Sequence, residues 1–523
     1  MRTQCQLLQM GPVYDERDYL PHTGEIPMSS ADGTADAGTT ERTQLDKSLK
    51  PQWVWAIALG SAVGWGAFIL PTGWMSTAGP VGTALGLLIG GALMCLIAVS
   101  YGLLIRTYPV SGGEYAYTFI SFGRTHAFVC GWFLTLGYVS IVALNASAMA
   151  LLFRRLVPGL VEWVPLWEIA GWDVYLGEVF VASLGLIIFA ALNVRGTSMS
   201  GRLQYLFCLV MLVGVALIVI GVLLAPDTAM SNLTPAFPDG VAPISAILAI
   251  VAIAPWAYVG FDNIPQAAEE FDFSPSKAFS LIILAIVSAA LIYVAMVFAT
   301  AAPTPWQDLV AGDPVWGTAD GLEELFGTVG LLVLGVSVLM GVSTGLNGFY
   351  VSASRLLFAM GRARAIPNAM SELHPKHRTP ATAIWFVAAL CLIAPWFGRE
   401  VLLWIVDMSA VGVTIAYTYT CLAAFKLFRW SHSPAEPNEP EGVQSTPKRV
   451  LAILGAVTGV AFFALLMVPG SPAQLGTPSL LALGLWVLIG VVFFFSRRAE
   501  SARTSDDEMA YLILGDDADK VVR

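Results

Sequence analysis

The sequence predicts an all-α membrane protein of about twelve transmembrane helices, the first and sixth of them broken. Three observations predict it. The 523 residues are 56% hydrophobic and only 12% charged, with a mean hydropathy of +0.71, so a soluble fold of this length would lack the polar surface to cover its core. Apolar runs of about 20 residues, the length that crosses a hydrocarbon core, recur down the whole chain. Two of those runs carry Gly and Pro at points where a continuous helix cannot tolerate them.

In order, the candidate spans lie near 53–73, 79–105, 126–153, 175–194, 203–225, 243–262, 278–301, 326–357, 380–397, 400–428, 450–468 and 479–496. The chain then divides into a tail (1–50), a core of ten helices (51–430), a linker (431–449), two peripheral helices (450–496) and an acidic tail (497–523). Residues 1–50 and 502–523 are polar enough to read as disordered cytoplasmic tails, and SHSPAEPNEPEGVQSTPK reads as a flexible loop. The first 50 residues lack the basic-then-apolar order of a signal peptide, so the first span would serve as its own insertion signal. Cys5 lies in the polar head, and the other five cysteines fall inside apolar spans and read as small buried hydrophobes.

Orientation follows from the basic residues. With the N-terminus inside, only Arg154, Arg155 and Arg399 of 27 Lys and Arg fall on the outer side. The outer loops carry acids instead, among them Asp308, Asp313, Asp320, Glu323 and Glu324. Both termini are therefore expected to be cytoplasmic, in a multi-pass protein of the cytoplasmic membrane. The net charge of −10 excludes a nucleic-acid partner, which leaves the lipid bilayer and a small molecule.

The first span contains GSAVGWGAFILPTGW, where Gly60, Gly64, Gly66 and Pro71 interrupt it. The sixth reads SAILAIVAIAPWAYVGFDNIPQAAEEF, interrupted by Pro255, Gly260 and Pro265. Irregular backbone at membrane depth is tolerated only where protein buries it or a cavity borders it, and paired discontinuous helices form the midplane sites of many secondary transporters. A half-helix beginning after Gly64–Gly66 offers free amides to a carboxylate, and one ending near Pro255–Trp256 offers carbonyls to an ammonium group. An α-amino acid carries both groups on one carbon.

At these residues the chain resembles the amino acid/polyamine/organocation (APC) permeases. GSAVGWGAF is similar to the family's first-span pattern, YGLLIRTYPVSGGEYAYTFISFG to its Pro-x-Ser-Gly-Gly-x-Tyr signature, PWAYVGFDNIPQAAEE to its sixth-span pattern, and SASRLLFAMGRARAIP to the end of its eighth span. The resemblance covers roughly residues 50–430. It implies a LeuT-type fold, with spans 1–5 and 6–10 as inverted repeats and two peripheral helices, in a secondary transporter that moves amino acids. A polyamine or ethanolamine-type permease and an amino acid exchanger are alternatives, and a membrane substrate sensor is a reading of another class. No cofactor is implied, and the chain carries no HExxH, nucleotide loop or His cluster that would favour an enzyme.

Carried over position by position, the substrate carboxylate would meet the amides around Ser61, Gly64, Trp65 and Gly66, and the amine the carbonyls near Pro255, Trp256 and Ala257. Trp256, Phe261 and Tyr138 would border the side-chain pocket. Pro109, Ser111, Gly112 and Gly113 would form a structural cytoplasmic turn, and Asp262, Glu269 and Glu270 would hold the inner end of span six against basic residues. Trp65 stands where the family has Ser or Thr, Gly137 where relatives carry Glu, and Met211 where several carry the Lys that replaces a bound sodium ion. Coupling stays open between sodium at Ser343 and Thr344, a proton at Asp407, and no ion at all; Arg355 is read as a gating or structural cation.

Overall fold

The computed structural model describes residues 42–169, 171–312, 316–398, 400–428, 445–501, 503–515 and 518. Cys5, Asp313, Arg399 and most of the linker lie outside the described residues.

Helix α1 (Pro51–Val63) starts on a proline at the position that needs no amide donor, and stops at Gly64, whose φ of +48° no other residue type adopts cheaply. After it come α2 (Gly66–Ile69) and α3 (Pro71–Thr107). Gly79 (φ 67°) and Pro80 break α3, so its first two turns continue span one and the remainder forms span two. The αL residue Gly112 leads into α4 (Gly113–Phe122), and α5 (Arg124–Leu156) is span three. A short α6 (Pro158–Val161) and an antiparallel hairpin, β1 (Pro165–Ile169) with β2 (Trp172–Tyr175), precede α7 (Leu176–Val194) and α8 (Thr197–Leu224). The hairpin adds a small sheet to an architecture expected to be all helical.

Span six is divided into α9 (Pro243–Ala252), α10 (Ala254–Ala257) and α11 (Asn263–Gln266). Beyond it lie α12 (Ala278–Ala301), α13 (Trp306–Ala311), α14 (Gly317–Arg362), α15 (Ala381–Cys391), α16 (Glu400–Leu427), α17 (Thr446–Met467), α18 (Thr477–Ser501) and α19 (Asp506–Leu514). Among the described residues ten helices are long and apolar enough to cross a membrane; the candidates for spans six and nine are shorter apolar helices.

The broken first span is central, since α1 packs on α8, α12 and α14. Around it, α3 packs on α9 and α12, α5 on α14 and α16, and α8 on α14. Leu, Val and Ile side chains on the outer surfaces of α8, α17 and α18 stay exposed, as they can where the solvent is lipid.

Within the two stretches read as disordered, residues 42–50 and 503–515 are ordered. Leu45 and Leu49 are buried, and the amides of Ser48 and Leu49 both donate to Glu270 O at 2.9 Å. In the acidic tail, α19 is capped by Ser505 and buries Met509, Leu512, Ile513 and Leu514. Composition alone misses both segments because their few apolar residues fall on one face and find a partner. Both segments meet at one end of the bundle, the tail face, where Arg42 donates to carbonyls of α19.

Candidate functional site

A small cavity of about 20 Å³ lies between the two interrupted spans, bordered by Ser61, Gly64, Trp65, Gly66, Asn145 and Trp256 among others. The amides of Trp65, Gly66 and Ala67 have no partner among the described residues, because α1 has ended and α2 has not completed a turn. Asn145 Oδ1 and Ser61 Oγ are also buried without a hydrogen bond. The edge of Trp65 meets Trp256, with ring centroids 6.3 Å apart.

Of the residues expected to bind substrate, the cavity brings together Ser61, Gly64, Trp65, Gly66 and Trp256. The others stand behind this wall. Phe261 packs on Tyr101 and Tyr417, Tyr138 donates to Asp262 Oδ2 at 3.0 Å, and Pro255 is buried in α10. The carbonyl of Ala257 accepts from Tyr293 Oη (2.9 Å), which also reaches Ala62 O (2.7 Å) and so links the two breaks. Sequence reading missed Tyr293 and Asn145. A lone amide in an apolar span is a signal that could have found Asn145, whereas nothing marks Tyr293 among the other tyrosines.

Where spans one and eight meet, Thr344 Oγ1 lies 3.0 Å from Gly60 O and 2.7 Å from Gly341 O. Beside it, Gln204 of α8 donates Nε2 to Ala56 O (3.0 Å) and Thr344 O (3.2 Å), and accepts from Asn347 Nδ2 (2.8 Å). Ser343 is buried in the same turn, and Met211 is buried two turns further along the same face of α8. Asp407 accepts from Ser479 Oγ at 2.6 Å, an α16–α18 contact away from the cavity.

At the tail face, Glu269 takes two bonds from Arg362 (3.0 Å each), one from Arg42 (3.3 Å), and the amides of Leu45 (3.2 Å) and Ser111 (3.3 Å). Burial alone would raise its carboxyl, but Arg362 and Arg42 more than offset that and hold it below the usual carboxylate value. Glu270 pairs with Arg355 at 2.8 Å, both fully enclosed, and accepts from Thr197 at 2.6 Å. Arg42 also donates to the carbonyls of Leu512 and Ile513, which fastens α19 to the same cluster. Glu269 and Glu270 therefore face basic residues as expected. Asp262 does not: its partners are Tyr138 and the amide of Gly260.

Comparison with known proteins matches residues 52–494 to a family described as "Amino acid permease". The chain is 26% identical to the methylthioribose transporter of Bacillus subtilis (strain 168), over 84% of this chain and 92% of that protein. It is 26% identical to the branched-chain amino acid permease BcaP of the same organism (88% and 94%) and 26% identical to its serine/threonine exchanger SteT (74% and 84%). With the family matched along most of its length and membrane-length helices throughout, this chain belongs to the amino acid permease family as a multi-pass membrane transporter.

Proposed function

We propose that the protein is a secondary active transporter that carries amino acids across the cytoplasmic membrane by alternating access. The observation that carries this reading is the pair of interrupted spans facing one cavity, with the free amides of Trp65, Gly66 and Ala67 on one side and unpartnered oxygens of Asn145 and Ser61 nearby. The amides suit a carboxylate, and the oxygens together with the α10 carbonyls suit an ammonium group. The cavity is bordered by uncharged side chains. That supports a zwitterion over a polyamine or ethanolamine-type amine, whose net positive charge would need a carboxylate there. Ile141, Leu144 and the two tryptophans supply an apolar wall that favours an apolar side chain.

The helix pairings support two inverted repeats. Exchanging each span with the one five further on turns α1·α12 into α9·α3 and α5·α16 into α14·α8, and leaves α3·α12 and α5·α14 unchanged. The distribution of basic residues supports cytoplasmic termini. At the contact of spans one and eight, the Thr344 hydroxyl and Gln204 amide already satisfy carbonyls of span one, which favours direct contact over a sodium ion at Ser343 and Thr344.

The test is counterflow in proteoliposomes with a panel of L-amino acids, including branched-chain substrates, serine and threonine, and with methylthioribose as the non-amino-acid arm. Exchange of at least one amino acid is expected. Exchange of methylthioribose alone would overturn the amino acid assignment, and exchange of nothing would overturn the transporter reading.

A further inference from the structure

All α-amino acids share the carboxylate and the ammonium group, so the two breaks by themselves admit them alike. The side chain is left to the space beside the α-carbon, and that space is small. The cavity of about 20 Å³ holds one water-sized group, or about two at most. A substrate therefore enters only where part of the wall can move aside.

Most of the wall is pinned. Tyr293 Oη is held between Ala62 O (2.7 Å) and Ala257 O (2.9 Å), and Asn145 Nδ2 donates to Ile141 O (2.8 Å). Ile141, Leu144 and Val259 are buried in the central hydrophobic core, where one side chain moves only if its neighbours do. Gly64 and Gly66 have no side chain to withdraw.

Two indoles are left. Trp65 occupies, with Gly64, the two-residue gap between α1 and α2. Trp256 comes from α10, and the two rings meet edge to face, with planes 69° apart and centroids 6.3 Å apart. Trp256 also lies on the start of α2: a Cβ built on Gly66 would stand 3.1 Å from its Cη2 and 3.6 Å from its Cζ3. Its six-membered ring thus borders the turn that holds the free amides. No hydrogen bond fixes either indole N–H among the described residues. Packing alone keeps the two rings in place.

Packing yields in proportion to the push. A hydrogen or a methyl group on the α-carbon asks for little displacement, whereas every further carbon drives an indole out of contact with its neighbours. Trp65 is the residue whose bulk decides how much must be displaced, since a small side chain on the same backbone would leave most of the volume of an indole empty.

We propose that Trp65, backed by Trp256, restricts the site to small uncharged amino acids, with side chains no larger than those of alanine and serine. The proposal deepens the transporter reading above and rests on it. Larger substrates are excluded by the work of moving the indoles, while their carboxylate and amine would be met as well as those of alanine.

Counterflow by the full-length protein in proteoliposomes tests this, with L-alanine and L-serine set against L-leucine and L-phenylalanine. The kcat/KM ratio of alanine to leucine should be at least about tenfold, the scale on which a single methylene is discriminated in an apolar pocket, and phenylalanine should fare no better than leucine. In Trp65→Ser the alanine-to-leucine ratio should fall by at least about tenfold. A ratio near or below one in the unmutated protein overturns the proposal and leaves the transporter reading standing, as does an unchanged ratio in Trp65→Ser. Counterflow of no amino acid at all overturns the transporter reading and this proposal with it. If Trp65→Ser does not insert or carries nothing, Trp65→Phe, which keeps an aromatic ring, decides on the same ratio: a shift toward leucine supports the proposal, and none overturns it.

Discussion

A methyl group on Gly260 would fall 2.6 Å from the amide nitrogen of Ala62 and 2.8 Å from Ser61 Cβ, at a φ of +133° that side chains avoid. Gly260→Ala should therefore force the two unwound segments apart, with loss of substrate binding and a fall in melting temperature in detergent worth about 1–3 kcal/mol of strain. Gly64→Leu probes the other break. Its backbone has φ +48° and its side chain would point past Ser61 O toward Asn145, into the space beside the free amides. Substrate binding should be abolished with insertion intact, and normal affinity would place the site elsewhere. Tyr293→Phe removes a hydroxyl that reaches both breaks, so stability should fall by about 1–3 kcal/mol. Residues such as Gly64 and Gly260 were legible because glycine and proline announce broken backbone, whereas a tyrosine hydroxyl gives no sign of which carbonyl it will reach.

Among elements, the tail-face cluster joins residues far apart in sequence: Arg42, Ser111, Glu269, Arg362 and the carbonyls of α19. Glu269 has its carboxyl lowered in the folded state, so its contribution is present above the ordinary glutamate value of about 4.3 and is lost as pH falls through the lower folded value. Proteolysis or hydrogen exchange of residues 42–49 and 506–514 should accordingly stay slow between about pH 5 and 8 and accelerate below about pH 4. Glu270→Gln leaves Arg355 enclosed without its anion and should cost about 3–5 kcal/mol, read as a lower melting temperature. The acidic tail illustrates where composition misleads: it reads as disordered by charge, yet α19 buries five apolar side chains.

For the whole molecule, the proposed alternating access requires the two interrupted spans to move relative to one another, so that the cavity opens to one side at a time. Trp256 forms one wall and touches Trp65 across it. Trp256→Ala should shift preference toward bulkier substrates or weaken binding by a few kcal/mol. Competition against the strongest counterflow substrate measures this, and an unchanged ranking would remove Trp256 from the pocket.

By itself the sequence determined that this chain crosses a membrane many times, where its first and sixth spans break, and to which family it belongs. Those properties are carried by runs of neighbouring residues: apolar length, glycine and proline within a span, and short contiguous motifs. Only the tertiary structure decided what stands beside each break. Tyr138 and Phe261 turn away from the cavity and Asn145 turns to its edge, because side-chain direction depends on how α5 and the unwound turn after α10 sit against their neighbours. Asp262 meets the Gly260 amide and a phenol instead of the expected basic residues, since Tyr138 reaches it from α5, 124 positions earlier in the chain, and no local pattern records a meeting at that separation.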